Sequence, residues 1–184
     1  MATQPQVRFS FLEYLDLERS ADYKSEFHNG QIHAMSGGTE PHSRLSSRIG
    51  ALLNLRLSDC RVYDSNLKLY IEQFDKGVYP DCMVLCGLPH FWNGQSDVIL
   101  NPSLVVEVFS PSSERYDRGE KASYYRSIPS LQEILIISQD QVFVERSKRQ
   151  GDSTWTLVQY TSRHERIPVL NSELTFQEIY AGIL

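Results

Sequence analysis

The sequence predicts one mixed α/β domain of the α+β kind, in which a central mixed β-sheet is flanked by helices and preceded by a helix and a β-hairpin. Segments with helical spacing of apolar residues alternate with short apolar runs typical of strands. No internal repeat or long linker divides the chain. Its 184 residues, 41% of them apolar, suffice for one sizeable core but not for two full domains. We therefore expect a single domain over residues 1–184, with residues 1–7 as candidates for disorder.

The amino-terminal region predicts a helix followed by a hairpin. Ser10 is followed three residues later by Glu13 and then by apolar residues at helical spacing, which predicts a capped helix over residues 10–15. The dipeptide Asn29-Gly30, with apolar residues on both sides, suits a two-residue hairpin turn. The chain is therefore expected to enter the domain as a helix and a β-hairpin.

A longer amphipathic helix is predicted over residues 40–58, where apolar residues recur three or four positions apart. Its other face carries Arg44 and Arg48. The polar stretch at residues 89–102 predicts a loop. Two further helices are predicted over residues 114–127 and 176–183, and strands over residues 61–63, 67–72, 78–86, 104–109, 131–138, 142–146 and 155–160. The first three of these strands are expected to form a meander.

The charge of the chain restricts the classes of partner. With 18 Lys and Arg against 23 Asp and Glu, the net charge is -5, which excludes a passive nucleic-acid coat. It does not exclude an enzyme that reaches nucleic acid through a bound metal. Between residues 115 and 166 the balance is locally basic, with nine Lys or Arg and seven Asp or Glu.

The cysteines predict a reduced protein. Cys60, Cys82 and Cys86 are an odd number, and no signal-peptide pattern precedes them. Both facts argue against a secreted disulfide scaffold, so we expect buried thiols and a cytoplasmic location. No apolar run approaches the roughly 20 residues that a membrane span needs.

A carboxylate interrupts the most apolar strand. Glu107 stands within residues 104–109, where both faces otherwise favour apolar packing. An ionised carboxylate buried without a partner is very costly, so Glu107 needs a cation, a metal or a water-filled cleft. An ion pair with an arginine at a sheet edge is one interpretation, and a functional site is the other.

Asp81 is a second carboxylate at the start of an apolar run. A Pro-Asp pair is more often a turn than a site. On adjacent strands, however, side chains on one face lie roughly 4.5 to 5.5 Å apart, close enough for two carboxylates to share a divalent ion. Asp81 and Glu107 are therefore candidate metal ligands.

The helix after the Glu107 strand carries Asp117 and Lys121, four residues apart and so on one face. Lys121 can turn toward the end of the strand. The simpler interpretation is a surface ion pair worth a few tenths of a kcal/mol. Tyr124 and Tyr125 add core packing or a polar tip near the same cleft.

The order of these residues resembles that of a known family. Pro80-Asp81, the run from Glu107 to Ser113, and then Asp117, Lys121 and Tyr125 are similar to the Uma-type family, which is classed with bacterial restriction endonucleases in the PD-(D/E)XK nuclease superfamily. The resemblance covers nearly the whole chain and implies a restriction-endonuclease-like core.

One position departs from the superfamily pattern. Phe109 stands where that pattern has a lysine two residues after the acidic residue. The resemblance implies that this lysine has moved to the next helix as Lys121, which should point at Glu107 and Asp81. The resemblance also places Glu26 in an acidic cluster with Asp81 and Glu107, although a solvated glutamate in the hairpin is an equal alternative. His42 matches a family histidine that could contact phosphate or form a structural hydrogen bond.

The expected function is Mg²⁺-dependent hydrolysis of DNA phosphodiester bonds, with Mn²⁺ as a substitute metal. Asp81, Glu107 and the backbone carbonyl of Val108 would hold the metal, because Mg²⁺ prefers oxygen ligands and keeps several waters. Lys121 would orient the attacking water or stabilise the developing charge. Asp117 would position Lys121 or bind the metal through water. Glu26 completes the predicted catalytic set.

The expected partners are DNA and a second copy of the chain. Arg44, Arg48 and His42 are the candidate nucleic-acid contacts. Nucleases that cut both strands commonly dimerise, which favours a homodimer. Two other functions fit the sequence. Phe109 in place of the usual lysine and the negative net charge of the chain are compatible with a catalytically weak binding or regulatory module. The paired carboxylates are compatible with a hydrolase of another substrate, such as a glycoside.

Overall fold

Two β-sheets packed on one another, with helices outside, form the described part of the chain. The computed structural model describes residues 7–111 and 113–184. The expectation of disorder therefore falls, except at Val7, outside the described residues. The helices are α1 Phe11–Ser20, α2 Glu40–Arg56, α3 Glu114–Tyr116, α4 Ala122–Arg126 and α5 Phe176–Tyr180. The strands are β1 Ser25–His28, β2 Gln31–Ala34, β3 Arg61–Asp64, β4 Lys68–Ile71, β5 Lys76–Val78, β6 Cys82–Leu85, β7 Val98–Ile99, β8 Leu104–Phe109, β9 Glu133–Ser138, β10 Val144–Arg149, β11 Trp155–Tyr160, β12 Arg166–Val169 and β13 Ser172–Thr175.

The larger sheet has six strands in the order β11-β10-β9-β8-β6-β3. Only β8 and β9 pair in parallel within it, and the other neighbours are antiparallel. The smaller sheet has the order β2-β1-β5-β4-β7, and β12 pairs with β13 as a separate hairpin. This arrangement confirms the predicted mixed sheet flanked by helices.

The core is divided by the six-stranded sheet. On one face, apolar residues of α2, α5 and the β12-β13 hairpin pack against alternate residues of β6, β8 and β9. On the other face, the same strands pack against β4, β5 and α4. A third cluster buries Phe11, Tyr14 and Leu15 of α1 against the smaller sheet. Among the described residues, no helix is long and apolar enough to cross a membrane.

The predicted local signals form the amino-terminal elements. Ser10 caps α1 through a capping box with Glu13. Asn29 and Gly30 adopt positive φ angles of 47° and 85° in the hairpin turn. Gly77 lets α1 approach the sheet, because a Cβ there would lie 2.5 Å from the Phe11 ring. The helix and the hairpin are thus confirmed.

The predicted meander is wrong. The strand expected over residues 78–86 is broken at Pro80-Asp81, and its two halves, β5 and β6, belong to different sheets. β6 instead pairs with β3. Proline ends the first strand because it lacks the backbone donor that a ladder requires. Asp81 therefore lies where the two sheets diverge.

Two smaller elements were also absent from the sequence predictions. The expected loop at residues 89–102 contains β7, which pairs in parallel with β4. The hairpin of β12 and β13 precedes the terminal helix.

The expectation of free thiols is wrong for two of the three cysteines. Cys60 and Cys86 form a disulfide, whereas Cys82 is a buried free cysteine. The cause is the antiparallel pairing of β3 and β6, in which Arg61 faces Leu85. Cys60 and Cys86 occupy the next position of that ladder, where opposite side chains come close. Sequence spacing alone did not reveal this pairing.

A buried ion pair connects the β12-β13 hairpin to the six-stranded sheet. Glu133 of β9 accepts hydrogen bonds from Arg146 of β10, with the Arg146 Nε atom at 3.1 Å, and from the backbone N–H of Leu170 at 3.0 Å. Glu133 is 1% exposed and Arg146 is 8% exposed. The pair therefore supports the turn between β12 and β13.

Replacing Glu133 by alanine should lower the free energy of unfolding by about 3–5 kcal/mol, because it leaves the Arg146 charge buried and unpaired. Urea denaturation measures this change. Glu173→Ala is the control, since it breaks the exposed pair with Arg166 and should cost less than about 1 kcal/mol. Equal losses in the two variants would contradict this account.

Candidate active site

A cleft of about 1450 Å³ opens beside the point where the two sheets diverge. Its wall includes one side of α2 from His42 to Asn54, the strands of the β1-β2 hairpin, β3 and the segment after β8. The charged and titratable groups on which the site depends are Glu26, His42, Asp81, Glu107, Asp117 and Lys121, all of which line this cleft.

Neighbouring strands bring the two predicted metal ligands together. β6 and β8 are antiparallel, and Cys82 faces Val106. Asp81 and Glu107 come one step further along the same ladder, so they lie opposite one another on one face. The backbone N–H of Val108 donates to Asp81 Oδ2 at 2.7 Å, which fixes this carboxylate against β8.

Lys121 enters the site from an irregular helical turn. Residues Asp117–Lys121 form a π-helical turn between α3 and α4, and such turns are frequent at functional sites. The Lys121 Nζ atom lies 2.9 Å from Glu107 Oε1 and 3.8 Å from Glu26 Oε1. It therefore points at Glu107 as expected, but its second carboxylate is Glu26 and not Asp81.

Phe109 occupies the core beneath the site. Its side chain is buried and its ring meets the Phe143 ring at a centroid distance of 5.9 Å. A lysine at this position would place its charge in an apolar cluster. The ammonium group beside Glu107 is that of Lys121, in the turn before α4.

Tyr125 anchors Glu107 from the other side. The Tyr125 hydroxyl donates to Glu107 Oε1, and the side chain is fully buried. The sequence suggests core packing or a polar tip near the cleft for Tyr124 and Tyr125, and Tyr125 does both. The Tyr124 hydroxyl instead contacts Glu120 at the exposed surface.

Burial and charge act in opposite directions on the central ion pair. Burial raises the pKa of Glu107 to about 8, although the Lys121 ammonium opposes this rise. Burial lowers the pKa of Lys121, but the carboxylates of Glu107, Glu26 and Asp117 outweigh it and hold that pKa above its ordinary value. Lys121 therefore stays protonated beside these carboxylates.

Glu26 is part of the cluster and is not a solvated hairpin residue. It alternates with Phe27 on β1, so that Phe27 packs against α1 while Glu26 faces the cleft. His28 Nε2 lies 3.1 Å from Glu26 Oε2, and the backbone N–H of Tyr79 donates to Oε1 at 3.5 Å. Burial raises the pKa of Glu26, but His28 and Lys121 outweigh it and the net pKa is lowered.

His42 contacts a carboxylate. Its Nε2 atom lies 3.2 Å from Asp81 Oδ2. The hydrogen bond with Asp81 raises the pKa of His42 above its ordinary value. A Cβ at Gly38 would lie 2.9 Å from His42 Nδ1, so the absence of a side chain at Gly38 leaves space for the imidazole ring. The structure places His42 as a partner of Asp81 within the predicted site.

We expect His42→Ala to weaken Mg²⁺ or Mn²⁺ binding by about 10-fold, because the groups that orient a metal ligand typically have effects of this size. Isothermal titration calorimetry measures the affinity. His33→Ala is the matched control, because His33 lines the same cleft and packs at a tilt against His28, but its side chain forms no hydrogen bond or ion pair with a carboxylate among the described residues. An unchanged affinity in His42→Ala would show that His42 does not position Asp81.

Asp117 is buried at the edge of the cluster. Burial raises its pKa above the ordinary value, while Lys121 and the Ser113 hydroxyl oppose that rise. Within the described residues, Lys121 forms ion pairs with Glu107 and Glu26 and none with Asp117. The alternative of an exposed Asp117–Lys121 pair is therefore wrong.

The two arginines predicted to contact nucleic acid lie away from the cleft. Arg44 pairs with Glu40 at the exposed surface, and Arg48 donates to the backbone carbonyl of Glu178 in α5. Neither residue lines the cleft wall. Small side chains of α2 line it in their place, namely Ser43, Ser46, Ser47, Gly50, Ala51 and Asn54. A role for Arg44 and Arg48 in binding stays a prediction.

The donor set of the cleft fits a hard divalent cation. Over residues 7–111 and 113–184, no three His, Cys, Asp or Glu side chains converge as a ready-made metal cage. Mg²⁺ needs only one or two carboxylates and completes its shell with water. Asp81 Oδ1 and Glu107 Oε2 accept no hydrogen bond from the described residues, so each carboxylate keeps one oxygen for a ligand. The Mg²⁺ ligands named from the sequence are compatible with this arrangement.

Sequence reasoning missed several groups that shape the site. Tyr79 supports Glu26 through its backbone, and Tyr116 lines the cleft beside Asp117. Neither residue has a spacing that distinguishes it from a packing tyrosine. Only the resemblance could have drawn attention to the segment that contains Tyr116.

Comparisons with known proteins agree with one another. Residues 11–180 match the family Uma2, described as "Putative restriction endonuclease". Two proteins of Synechocystis sp. are similar over most of their length: uncharacterized protein sll1609 is 35% identical over 91% of this chain and 93% of its own, and uncharacterized protein slr1290 is 34% identical over 97% and 95%.

A solved structure shares the fold. It is the crystal structure of a chain from Anabaena variabilis that is described as a "putative nuclease belonging to DUF820". The TM-score is 0.76 at 18% sequence identity, and the alignment covers 96% of this chain and 99% of the other. At this identity the likeness concerns the fold, and it agrees with the expected restriction-endonuclease-like core.

Proposed function

The chain belongs to the Uma2 family, and from this premise we propose that it is a metal-dependent endonuclease that hydrolyses DNA phosphodiester bonds in the cleft described above. The observation that carries the proposal is the buried Lys121 ammonium, which lies 2.9 Å from Glu107. Glu107 in turn lies opposite Asp81 on the neighbouring strand. Two carboxylates and one lysine that meet in a cleft are the groups that phosphodiester hydrolysis needs.

Asp81, Glu107 and the Val108 carbonyl would hold Mg²⁺, with Mn²⁺ as a substitute. When bound there, the metal would supply charge neutralisation at the scissile phosphate and a lowered pKa for an attacking water. Val108 and His42 fix Asp81, and Tyr125 fixes Glu107, so both carboxylates are held before a ligand arrives. Such preorganisation reduces the rearrangement that the reaction requires.

Lys121 would act on the substrate through its ammonium group. The carboxylates around it keep it protonated, so it donates hydrogen bonds and positive charge and does not act as a base. Its place beside Glu107 and Glu26 lets it orient the attacking water or stabilise the charge that develops on phosphate oxygens. Asp117 and Glu26 would hold the position of this ammonium group.

A homodimer is part of the proposal. Cleavage of both strands of a duplex is achieved most simply by two sites related by a two-fold axis. Analytical ultracentrifugation with and without a DNA duplex measures the mass of the active species. A protein that cuts both strands while it remains monomeric would contradict this part of the proposal.

Incubation with supercoiled plasmid tests the proposed activity. We expect nicked and linear products with Mg²⁺ or Mn²⁺ and none with EDTA. Retained binding without cleavage at any metal concentration would favour a binding or regulatory module. Turnover of a glycoside without metal would favour a carboxylate-pair hydrolase of another substrate.

A further inference from the structure

The hydroxyl of Tyr116 has no partner in the wall of the cleft. Its oxygen is buried, and no hydrogen-bond partner exists for it among the described residues. Tyr116 ends α3, next to the π-helical turn that carries Asp117 and Lys121, and its side chain lines the cleft. A buried hydroxyl without a partner is unusual in proteins and calls for an explanation.

The hydroxyls of three deeply buried tyrosines contrast with that of Tyr116. Tyr14 donates to a backbone carbonyl of Ser25, Tyr125 donates to Glu107, and Tyr180 donates to a backbone carbonyl of Ser138. The fold therefore supplies acceptors for hydroxyls that serve packing alone or hold another side chain. Tyr116 is half-buried as a residue, but its hydroxyl oxygen is the buried tyrosine oxygen among the described residues that is left without a partner.

The surroundings of Tyr116 are acidic, and its hydroxyl is uncharged. The cleft is lined by five carboxylates, those of Glu26, Asp64, Asp81, Glu107 and Asp117, against two lysines, Lys24 and Lys121. Burial and the nearby charge of Glu26 raise the pKa of Tyr116, so its hydroxyl keeps its proton. It is thus a neutral hydrogen-bond donor, and the phosphodiester of the proposed function supplies acceptor oxygens for it.

We propose that the Tyr116 hydroxyl donates a hydrogen bond to a phosphate oxygen of the DNA strand in the cleft, beside the phosphate that Lys121 serves. This inference rests on the proposed function, because it takes a phosphodiester as the ligand. The ring tip is shielded in the free protein, so the ring turns toward the cleft when the strand binds. That turn breaks no hydrogen bond, since the hydroxyl makes none beforehand.

The test is Tyr116→Phe, which removes only the hydroxyl. The dissociation constant for a fluorescein-labelled 20-base-pair DNA duplex is measured by anisotropy with Ca²⁺, which binds the same oxygen ligands as Mg²⁺. We expect it to rise roughly 10-fold or more, the loss typical of one hydrogen bond to a charged group. The melting temperature should not fall, because no protein hydrogen bond is lost.

Two matched variants separate a ligand contact from a structural role. Tyr124→Phe removes a hydroxyl that contacts Glu120 outside the cleft and should leave the dissociation constant unchanged. Tyr125→Phe removes the bond to Glu107 and should lower the melting temperature. A Tyr116→Phe protein with wild-type DNA affinity would overturn the inference, whatever its melting temperature.

Failure of this inference is distinguishable from failure of the proposed function. A wild-type protein that binds the duplex but cuts no plasmid with any metal contradicts the proposed activity, while the affinity of Tyr116→Phe still decides the role of the hydroxyl. Equal affinities in a protein that cuts DNA contradict the Tyr116 assignment alone. A wild-type protein that does not bind the duplex overturns both.

Discussion

Glu107→Gln should reduce metal-dependent DNA cleavage by about 1000-fold or more. The substitution removes one of the two carboxylate charges that would bind Mg²⁺, and metal stabilisation of a phosphoryl transition state is worth several kcal/mol. Glutamine keeps the size of the side chain and can still accept the hydrogen bond from Tyr125. Single-turnover cleavage and calorimetric titration with Mn²⁺ measure the two consequences.

Asp64→Asn is the matched control for this experiment. Asp64 is a carboxylate of the same cleft, but it lies on β3 and accepts hydrogen bonds from Asn66. We expect its substitution to leave metal affinity and cleavage unchanged. Asp81→Asn, in contrast, should weaken metal binding as Glu107→Gln does. Undiminished metal binding in both Glu107→Gln and Asp81→Asn would place the metal site elsewhere.

Lys121→Met should lower the single-turnover rate at saturating Mg²⁺ by about 100-fold or more, the size typical of losing one positioned electrostatic donor. Methionine keeps much of the apolar bulk of the lysine but removes the charge. Metal binding should persist, because the metal ligands are the carboxylates. The apo protein should also lose stability, since Glu107 and Glu26 share this buried cation.

The variant Lys24→Met provides the comparison for Lys121→Met. Lys24 also lines the cleft, but its ammonium donates to the Ser65 carbonyl and to Asn66, outside the acidic cluster. Its single-turnover rate should stay within a few-fold of the wild-type value. A Lys121→Met enzyme with unimpaired cleavage would refute the catalytic assignment of this lysine, even in a protein that proves to be a nuclease.

Local chemistry made part of the site predictable from the sequence. Glu107 stands out because a charged residue within a buried strand must have a partner. Asp81 could be placed beside it because neighbouring strands align their side chains. The position of Lys121 came from the resemblance, because an ammonium group on a long stem can be supplied from any element near the site.

Other features depend on long-range pairing that no local pattern encodes. The break at Pro80-Asp81 sends β5 and β6 to different sheets, and this decides that Cys60 meets Cys86. The contact between His42 and Asp81 joins α2 to the edge of β6. The Tyr116 hydroxyl is conspicuous only once the partners of every other buried hydroxyl are known. These are tertiary facts, so periodicity and turn signals could not supply them.

The position of a bound Mn²⁺ ion in crystals of the wild-type protein tests the central claim most directly. Anomalous diffraction at the manganese absorption edge locates the ion independently of any activity. The account predicts a peak bound by Asp81 and Glu107, and the loss of that peak in Glu107→Gln crystals. A fully occupied manganese site elsewhere, with no peak between these two carboxylates, would contradict it.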